Sequence, residues 1–141
     1  MKLSIIVPMY NTSQWLKRCL DSLNNQGLET QEYEIIVVND GSTDNSEEVF
    51  LEYRKEHPGM NLTLLSQANA GLSAARNAGT RQAQGEYVWW VDSDDFVEPD
   101  VILLPRAISW RLKTPILKRR LQAVIQALNL LSLRILAETG K

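Results

Sequence analysis

The amino-acid sequence predicts an α/β protein built on a Rossmann-like, doubly wound and mainly parallel β-sheet. Three observations support this fold class. The strand-like apolar runs are continuous, as expected of parallel strands that are covered on both faces. Segments with helical spacing of apolar residues separate these runs. The most unusual polar residues follow the strand-like runs, and doubly wound sheets bind their ligands beyond the carboxyl ends of the strands.

The first hundred residues contain four strand-like and three helix-like segments in alternation. Strands are predicted in LSIIVPMY (residues 3–10), where the apolar run ends at Pro8, and in YEIIVVND (33–40), LTLLSQ (62–67) and EYVWWVD (86–92). Helices are predicted in NTSQWLKRCLDSLNNQG (11–27), STDNSEEVFLEYRKEHPG (42–59) and GLSAARNAGTRQAQG (71–85). The fourth strand, with its two tryptophans, is expected to be buried.

Each helix should turn an apolar or small face toward the sheet. In the first helix the apolar positions are Trp15, Leu16, Cys19, Leu20 and Leu23. The second helix should begin with a capping box formed by Asp44 and Glu47. The third helix is rich in alanine on the face that must approach the sheet.

Composition excludes several classes of protein. A single cysteine, Cys19, rules out an internal disulfide framework. A single histidine, His57, argues against Ser-His-Asp chemistry and histidine-rich metal sites. The apolar run at residues 3–7 is too short for a signal peptide or a membrane span, so we expect a cytoplasmic protein.

The charge distribution divides the chain near residue 100. Residues 1–100 contain 16 Asp and Glu against 7 Lys and Arg, whereas residues 101–141 contain 8 Lys and Arg and a single acid, Glu138. We therefore expect an α/β domain at residues 1–102 and an atypical basic helical tail at residues 103–141. Apolar residues at helical spacing predict an amphipathic C-terminal helix of roughly five turns: Leu117, Leu121, Val124, Leu128, Leu131 and Ile135. This helix would cover the sheet or be an exposed remnant of a missing half. Alternatively, it would contact a partner or the inner face of the membrane.

The sequence DSDD, at residues 92–95, predicts a site for a divalent cation. Mg²⁺ and Mn²⁺ prefer oxygen ligands, and Mg²⁺ takes one or two carboxylates while water and substrate phosphates fill its other positions. On an extended segment Asp92 and Asp94 would point to the same side and Ser93 away from it, because side chains alternate along a strand. A solvated turn is the structural alternative. The position directly after a strand favours the cation site.

Three further strand ends carry candidate binding residues. Asp40, after the second strand, is suited to accept hydrogen bonds from a ligand or to stabilise a turn. Arg76 lies one turn into a helix whose first N–H groups could face an anion, where it would contact a base or phosphate, or pair with a carboxylate. Tyr10 would stack on a base or pack in the core. The chain has neither the P-loop pattern nor G-x-G-x-x-G.

Four segments together resemble the family 2 glycosyltransferases, inverting enzymes of the GT-A fold that use nucleotide-diphospho-sugars. The matching segments are SIIVPMYN (residues 4–11), EIIVVNDGSTDNS (34–46), NAGLSAARNAG (69–79) and GEYVWWVDSDD (85–95), in the family's order and approximate spacing. The resemblance covers about residues 3–100 and leaves out the basic tail.

The resemblance implies a function and a role for the matching residues. It implies transfer of a sugar from a nucleotide-diphospho-sugar, with a UDP-sugar as the expected donor, to a glycan or lipid-linked acceptor. Cell-surface polysaccharide or glycan synthesis is the expected process, and no nucleic acid is expected as a partner. The segment from Pro8 to Tyr10 would lie along the base, Asp40 would bond the base, and Arg76 would lie near the base and the phosphates.

The same resemblance implies a metal site. Asp92 would lie near the ribose and the metal, and Asp94 would bind the Mn²⁺ or Mg²⁺ that bridges the diphosphate. Inverting transfer also needs a general base, but after Asp100 the sequence holds only one acid, Glu138, so no catalytic residue is assigned. We expect the chain to carry the donor-binding half of the family's domain and to lack most of the acceptor half.

Two rival interpretations remain open at this point. One is a non-catalytic or truncated nucleotide-binding remnant. The other is a phosphotransferase of the haloacid dehalogenase type, which also has a D-x-D after an apolar strand but has it on the first strand.

Overall fold

In the described residues four strands alternate with three helices, as predicted. A computed structural model describes residues 1–24, 26–99 and 101. The strands are β1 (Leu3–Met9), β2 (Tyr33–Asn39), β3 (Leu62–Ser66) and β4 (Tyr87–Trp90), and the helices are α1 (Ser13–Asn24), α2 (Ser46–Glu56) and α3 (Leu72–Gln82). Apart from residue 101, the described residues belong to one compact unit, Met1–Asp100.

The strands form a parallel sheet in the order β3-β2-β1-β4. β1 pairs with β2 along its whole length and with β4 along Leu3–Ile6. The chain therefore adds β2 and β3 on one side of β1 and β4 on the other. Doubly wound sheets bind their ligands where the strand order reverses in this way, beyond the carboxyl ends of the strands.

β1 runs one residue past Pro8, where its apolar run is predicted to end. Hydrogen bonds from Tyr87 N to Lys2 O and from Val91 N to Ile6 O show that the even-numbered residues of β1 turn their backbone groups toward β4. The missing N–H of Pro8 therefore faces the β4 side, beyond the end of the pairing at Ile6. Within the described sheet, the proline therefore costs β1 no hydrogen bond.

The face of the sheet that carries α3 is lined with β-branched side chains. Ile6, Ile36 and Val38 pack against Ala75 of α3, and all four are buried. A Cβ atom at Gly79 would lie less than 3 Å from Ile6 Cγ2 and 3.1 Å from Val38 Cγ2. The helix thus lies too close to the strands for a side chain at this position, which confirms the predicted small, Ala-rich face.

Larger apolar side chains fill the opposite face. Because side chains alternate along a strand, the fully buried Ile5 and Val7 point away from α3. α1 and α2 contact each other and supply the buried residues Leu16, Cys19, Leu20, Leu23, Phe50 and Tyr53. Full burial of one Leu, Ile or Phe side chain contributes about 1.5–3 kcal/mol. With helices on both faces, the sheet is doubly wound as predicted.

Two apolar segments are less buried than predicted. β4 lies at the edge of the described sheet and pairs with β1 alone; Tyr87, Val88 and Trp89 are half-buried and Trp90 is 41% exposed. A local run of apolar residues carries no information on whether a strand has one neighbour or two. Trp15 is 42% exposed, whereas the other four predicted apolar positions of α1 are buried.

The predicted amphipathic helix of the tail lies outside the described residues. The boundary between the predicted parts 1–102 and 103–141 stays a prediction. None of the helices in the described part of the chain has the length and hydrophobicity needed to cross a bilayer.

Candidate functional site

The polar segments that follow the four strands meet at the carboxyl edge of the sheet, as predicted. Asn11 Oδ1, after β1, accepts a hydrogen bond from Thr43 N, after β2. Thr12 Oγ1 donates to Ser93 Oγ, after β4, at 2.9 Å. The segment after β3 bonds Asp40 at the end of β2. The four segments therefore form one continuous polar region.

Asp40 holds the loop between β3 and α3. Its carboxylate accepts hydrogen bonds from Gln67 Nε2 at 2.7 Å, Ala70 N at 3.0 Å and Gly71 N at 2.8 Å. Burial raises the pKa of Asp40, but these hydrogen bonds outweigh the burial and leave the pKa below its usual value. Asp40 is only 3% exposed. Its hydrogen bonds with Ala70 N and Gly71 N orient the start of α3. Its contact with a base stays a prediction.

Arg76 of α3 and Asp92 after β4 form an ion pair. Arg76 Nη2 donates to Asp92 Oδ1 at 2.6 Å, and the two side chains are 35% and 39% exposed. Arg76 Nε is buried and has no hydrogen-bond partner among the described residues. The sequence predicts, as one alternative, that Arg76 pairs with a carboxylate but does not say which one. In the structure this carboxylate is Asp92, one of the predicted metal-binding residues.

The carboxylates of residues 92–95 lie on a turn and not on an extended segment. Asp95 N donates to Asp92 O at 3.0 Å, which closes a β-turn beyond the end of β4 at Trp90. The alternation of side chains that predicts Asp92 and Asp94 on one side therefore does not apply. Ser93 is buried, at 3% exposure, and Asp94 is exposed.

Negative charge accumulates at this turn. Partial burial raises the pKa of Asp95, and the charges of Asp94 and Asp92 raise it further. Burial, together with the same three carboxylates, raises the pKa of Cys19 to about 12, and Cys19 Sγ donates to Asp92 O at 3.6 Å. Arg76 compensates Asp92, but Asp94 has no ion pair in the described part of the chain. A divalent cation would offset the remaining repulsion.

The carboxylates suit a cation that is shared with a phosphate ligand. No group of three or more His, Cys, Asp or Glu side chains within residues 1–24, 26–99 and 101 is arranged to hold a metal ion. Asp92 and Asp94 offer two carboxylates, and Mg²⁺ takes one or two when phosphates and water complete its shell. Two carboxylates are too few to cage a metal by protein alone, and a cation site shared with a phosphate ligand at these residues stays a prediction.

The end of β1 presents Tyr10 at the same edge. Pro8 is buried within β1, whereas Tyr10, directly after the strand, is 48% exposed. Asn11 has a φ of 53°, in the left-handed region that Asn tolerates better than most residues. Its Oδ1 accepts hydrogen bonds from Thr43 N and Asp44 N, which fix the chain just after Tyr10. Tyr10 is therefore not a core residue, and its ring is available to a ligand.

Asp44 caps the amino termini of both α1 and α2. Its carboxylate accepts hydrogen bonds from Ser13 N at 3.2 Å and Ser46 N at 3.0 Å. Burial raises the pKa of Asp44, but the hydrogen bonds from Ser46 and Ser13 outweigh it and lower the pKa to about 2. The predicted capping box does not form, because α2 begins only at Ser46 and Glu47 accepts a hydrogen bond from Asn39 Nδ2 at 2.6 Å.

Several contacts at this edge are not predicted from the sequence. Gln67 lies 27 positions from Asp40, and Thr12 lies 81 positions from Ser93. No local pattern connects residues so far apart. Asn11 has a usable signal, because an Asn directly after a strand is suited to a left-handed conformation.

Comparison with known proteins identifies relatives over most of the chain. The family model described as glycosyl transferase family 2 matches residues 4–109. Glycosyltransferase GlyA of Streptococcus pneumoniae serotype 4 is 46% identical over 102 residues, which cover 72% of this chain and 14% of the relative. Chondroitin synthase of Escherichia coli is 38% identical over 101 residues, which again cover 72% of this chain and 14% of the relative.

Solved structures share the fold. S. aureus TarS 1-349 in complex with UDP matches with a TM-score of 0.70 and 36% identity, over 76% of this chain and 31% of that chain. Mannosyltransferase PcManGT from Pyrobaculum calidifontis in complex with GDP-Man and Mn²⁺ matches with a TM-score of 0.73 and 30% identity, over 81% of this chain and 33% of that chain. The chain thus spans only a minor part of each of these four proteins. With its α/β sheet of the GT-A type, the chain belongs to glycosyl transferase family 2.

Proposed function

We propose that this chain binds a nucleotide-diphospho-sugar together with Mn²⁺ or Mg²⁺ and presents the sugar for inverting transfer to an acceptor hydroxyl. Membership of the family supports a transferase. The matching structures contain UDP in one case and GDP-Man with Mn²⁺ in the other, which supports the donor class and a divalent metal. We expect a UDP-sugar as donor and a glycan or lipid-linked glycan as acceptor, in the cytoplasm or at the inner face of the membrane. A relative named chondroitin synthase supports polysaccharide synthesis.

The observation that carries this proposal is the carboxylate turn at the point where the strand order reverses. Asp92 and Asp94 follow directly on β4, which lies next to β1. Arg76 Nη2 lies 2.6 Å from Asp92 Oδ1, so the guanidinium of α3 contacts the turn that carries Asp92 and Asp94. A diphosphate with its cation offers the complementary charges: the cation for the carboxylates and the phosphate oxygens for the guanidinium.

The residues of the edge divide the work of donor binding. Asp92 and Asp94 would hold the cation, which when bound neutralises the diphosphate and stabilises the charge that develops on the leaving group. Arg76 orients Asp92, and its other N–H groups would bond a phosphate oxygen. Asp40 fixes the loop before α3, so that the first N–H groups of that helix are held at the same edge. Tyr10 would offer its exposed ring to the base.

A second candidate function is nucleotide-sugar binding without transfer. Inversion needs a general base that deprotonates the acceptor hydroxyl, and the sequence after Asp100 contains only one acid, Glu138. We assign no residue of this chain as that base. A phosphotransferase of the haloacid dehalogenase type is disfavoured, because such an enzyme would have its D-x-D after β1, which ends at Met9, and here the motif follows β4.

A thermal-shift panel tests the proposal. UDP and GDP are added with and without Mn²⁺, and a nucleotide at 100 times its Kd should stabilise the chain by about 2.7 kcal/mol. Asp94→Asn should remove the part of the stabilisation that depends on Mn²⁺. Glu98→Gln removes one negative charge from an exposed residue of the same segment. This control variant should keep the Mn²⁺-dependent stabilisation. If no nucleotide diphosphate with metal stabilises the chain, the proposal is refuted.

Product analysis separates the two candidate functions. Release of UDP from a UDP-sugar, by transfer or by hydrolysis, supports the transferase. Tight metal-dependent binding with neither reaction supports the binding function instead.

A further inference from the structure

The position of Asp94 depends on the backbone of its turn. Among the described residues its carboxylate makes no hydrogen bond or ion pair, whereas Arg76 holds the side chain of Asp92 and Cys19 Sγ bonds its carbonyl oxygen. The turn itself is closed by the hydrogen bond from Asp95 N to Asp92 O. Repulsion among neighbouring carboxylates works against this single closing bond. A contact from outside the turn is needed to fix the residue between Asp92 and Asp94.

Ser93 provides that contact. It lies between the two carboxylates, is 3% exposed, and accepts a hydrogen bond on Oγ from Thr12 Oγ1 at 2.9 Å. Because Ser93 is buried, water competes little for this bond, and breaking it would leave a buried hydroxyl unpaired. The bond connects the segment after β1 to the segment after β4, on the two sides of the point where the strand order reverses.

Thr12 is itself held firmly in place. Its N–H donates to Ser46 Oγ at 3.0 Å, and its carbonyl oxygen accepts hydrogen bonds from Trp15 N and Leu16 N, each at 3.0 Å, which begin α1. Ser46 is fully buried at the start of α2. The backbone of Thr12 is thus tied to the first turns of both helices, and its hydroxyl extends from a fixed point to the carboxylate turn.

We propose that Thr12 is a positioning residue for metal binding, and that its hydrogen bond to Ser93 sets the separation of the Asp92 and Asp94 carboxylates. This inference rests on the proposed function. Thr12 would act through its hydrogen bond to Ser93 and not by contact with the cation or the nucleotide. Replacing a residue that orients the metal ligands without contacting the metal typically lowers metal affinity or activity by about 10–100-fold.

The test compares the affinity for UDP with and without Mn²⁺ by isothermal titration calorimetry. The metal enhancement is the Kd for UDP without Mn²⁺ divided by the Kd with Mn²⁺. Thr12→Val keeps the branched shape but lacks the hydroxyl, and we expect it to lower the enhancement about tenfold while the Kd without Mn²⁺ changes less than about twofold. Thr12→Ser keeps the hydroxyl and should retain the enhancement to within about twofold.

Two further variants examine the same bond and a neighbouring one. Ser93→Ala removes the acceptor and should lower the enhancement as far as Thr12→Val does, and the double variant should lower it no further, because both changes remove one interaction. Ser22→Ala is the matched control: it removes a hydroxyl of α1 that accepts a hydrogen bond from Val97 N at 3.0 Å, beyond the carboxylates. It should leave the enhancement within about twofold of wild type. Electron paramagnetic resonance of free Mn²⁺ in the presence of UDP gives the bound fraction independently.

The outcomes separate this inference from the proposed function. An unchanged enhancement in both Thr12→Val and Ser93→Ala overturns the inference alone, and so does a Thr12→Ser variant that behaves like Thr12→Val. Equal losses of affinity with and without Mn²⁺ also overturn it, since they indicate a general disturbance of the fold. If the wild-type chain binds no nucleotide diphosphate, or binds UDP no more tightly with Mn²⁺, the proposed function fails in its metal role and the inference fails with it.

Discussion

Replacing Gly79 by alanine should destabilise the chain through a collision between α3 and the sheet. The new Cβ would lie less than 3 Å from Ile6 Cγ2 and 3.1 Å from Val38 Cγ2, and both side chains are fully buried, so neither can move into solvent. Overpacking of a filled core costs about 1–3 kcal/mol, and so close a contact places this substitution near the upper end. Alanine regains about 1 kcal/mol through its higher helix propensity. The expected net loss is about 2 kcal/mol.

Urea and thermal unfolding measure this loss. For a domain of about 100 residues, 1 kcal/mol corresponds to a change in Tm of about 4–8 °C, so Gly79→Ala should lower the Tm by about 8–16 °C. Gly59→Ala is the control, because its Cβ would meet no atom within 4 Å, and its effect should stay within about 0.5 kcal/mol. Since Arg76 precedes Gly79 on α3 by one turn, an outward shift of the helix should also weaken Mn²⁺-dependent binding of UDP. A Gly79→Ala variant as stable as Gly59→Ala would refute the close packing inferred here.

Three further predictions concern charge and titration. Arg76→Gln should cost no more than about 1 kcal/mol of stability, because its ion pair with Asp92 is more than a third exposed. The same change should weaken binding of UDP with Mn²⁺ at least about tenfold. A loss of binding free energy no larger than the loss of stability would contradict this prediction. Asp44 should stabilise the chain above pH 4, and this stability should be lost as the pH falls toward 2, because the pKa of Asp44 is about 2 in the folded chain and ordinarily 3.8. Asp44→Asn should flatten the plot of unfolding free energy against pH between pH 4 and 2. A plot parallel to that of wild type would argue against the two caps. Stability should decline above pH 9, because the thiol of Cys19 ionises there in the unfolded chain but not in the folded chain, where its pKa is about 12. Cys19 should also resist alkylation until the chain unfolds. Rapid labelling of the folded chain at pH 8 would contradict its burial.

Much of the fold is predictable because local patterns have direct physical causes. A parallel strand that is covered on both faces is apolar along most of its length. Every residue of Tyr33–Asn39 is buried, and five of the seven are apolar. The small residues Ala75 and Gly79 indicate that α3 approaches the sheet closely, as it does. The exposure of Trp90 has no such local cause, because it depends on the strands that lie beside β4.

The candidate site is predictable as a place and less so as a geometry. Parallel strands bring their carboxyl ends to one edge, and Asp40, Arg76 and Asp92 all lie there. Which groups pair is decided by contacts between distant segments, such as the 81 positions that separate Thr12 from Ser93. The prediction that Asp92–Asp94 lies on an extended segment is wrong, because β4 ends at Trp90 and a turn follows. The roles of the site residues in nucleotide and metal binding stay predictions.

The strand order also determines when each pairing becomes available as the chain is made. β1 begins at residue 3, and its second partner, β4, begins at residue 87. At 5–20 residues per second, the side of β1 that faces β4 stays unpaired for roughly 4–17 s of synthesis. During that time an apolar strand presents free N–H and C=O groups to other nascent chains, the arrangement that promotes intermolecular pairing. Of the two inner strands of the described sheet, β1 is therefore the later to gain both neighbours, and protection of newly made chains by a chaperone matters most in that interval.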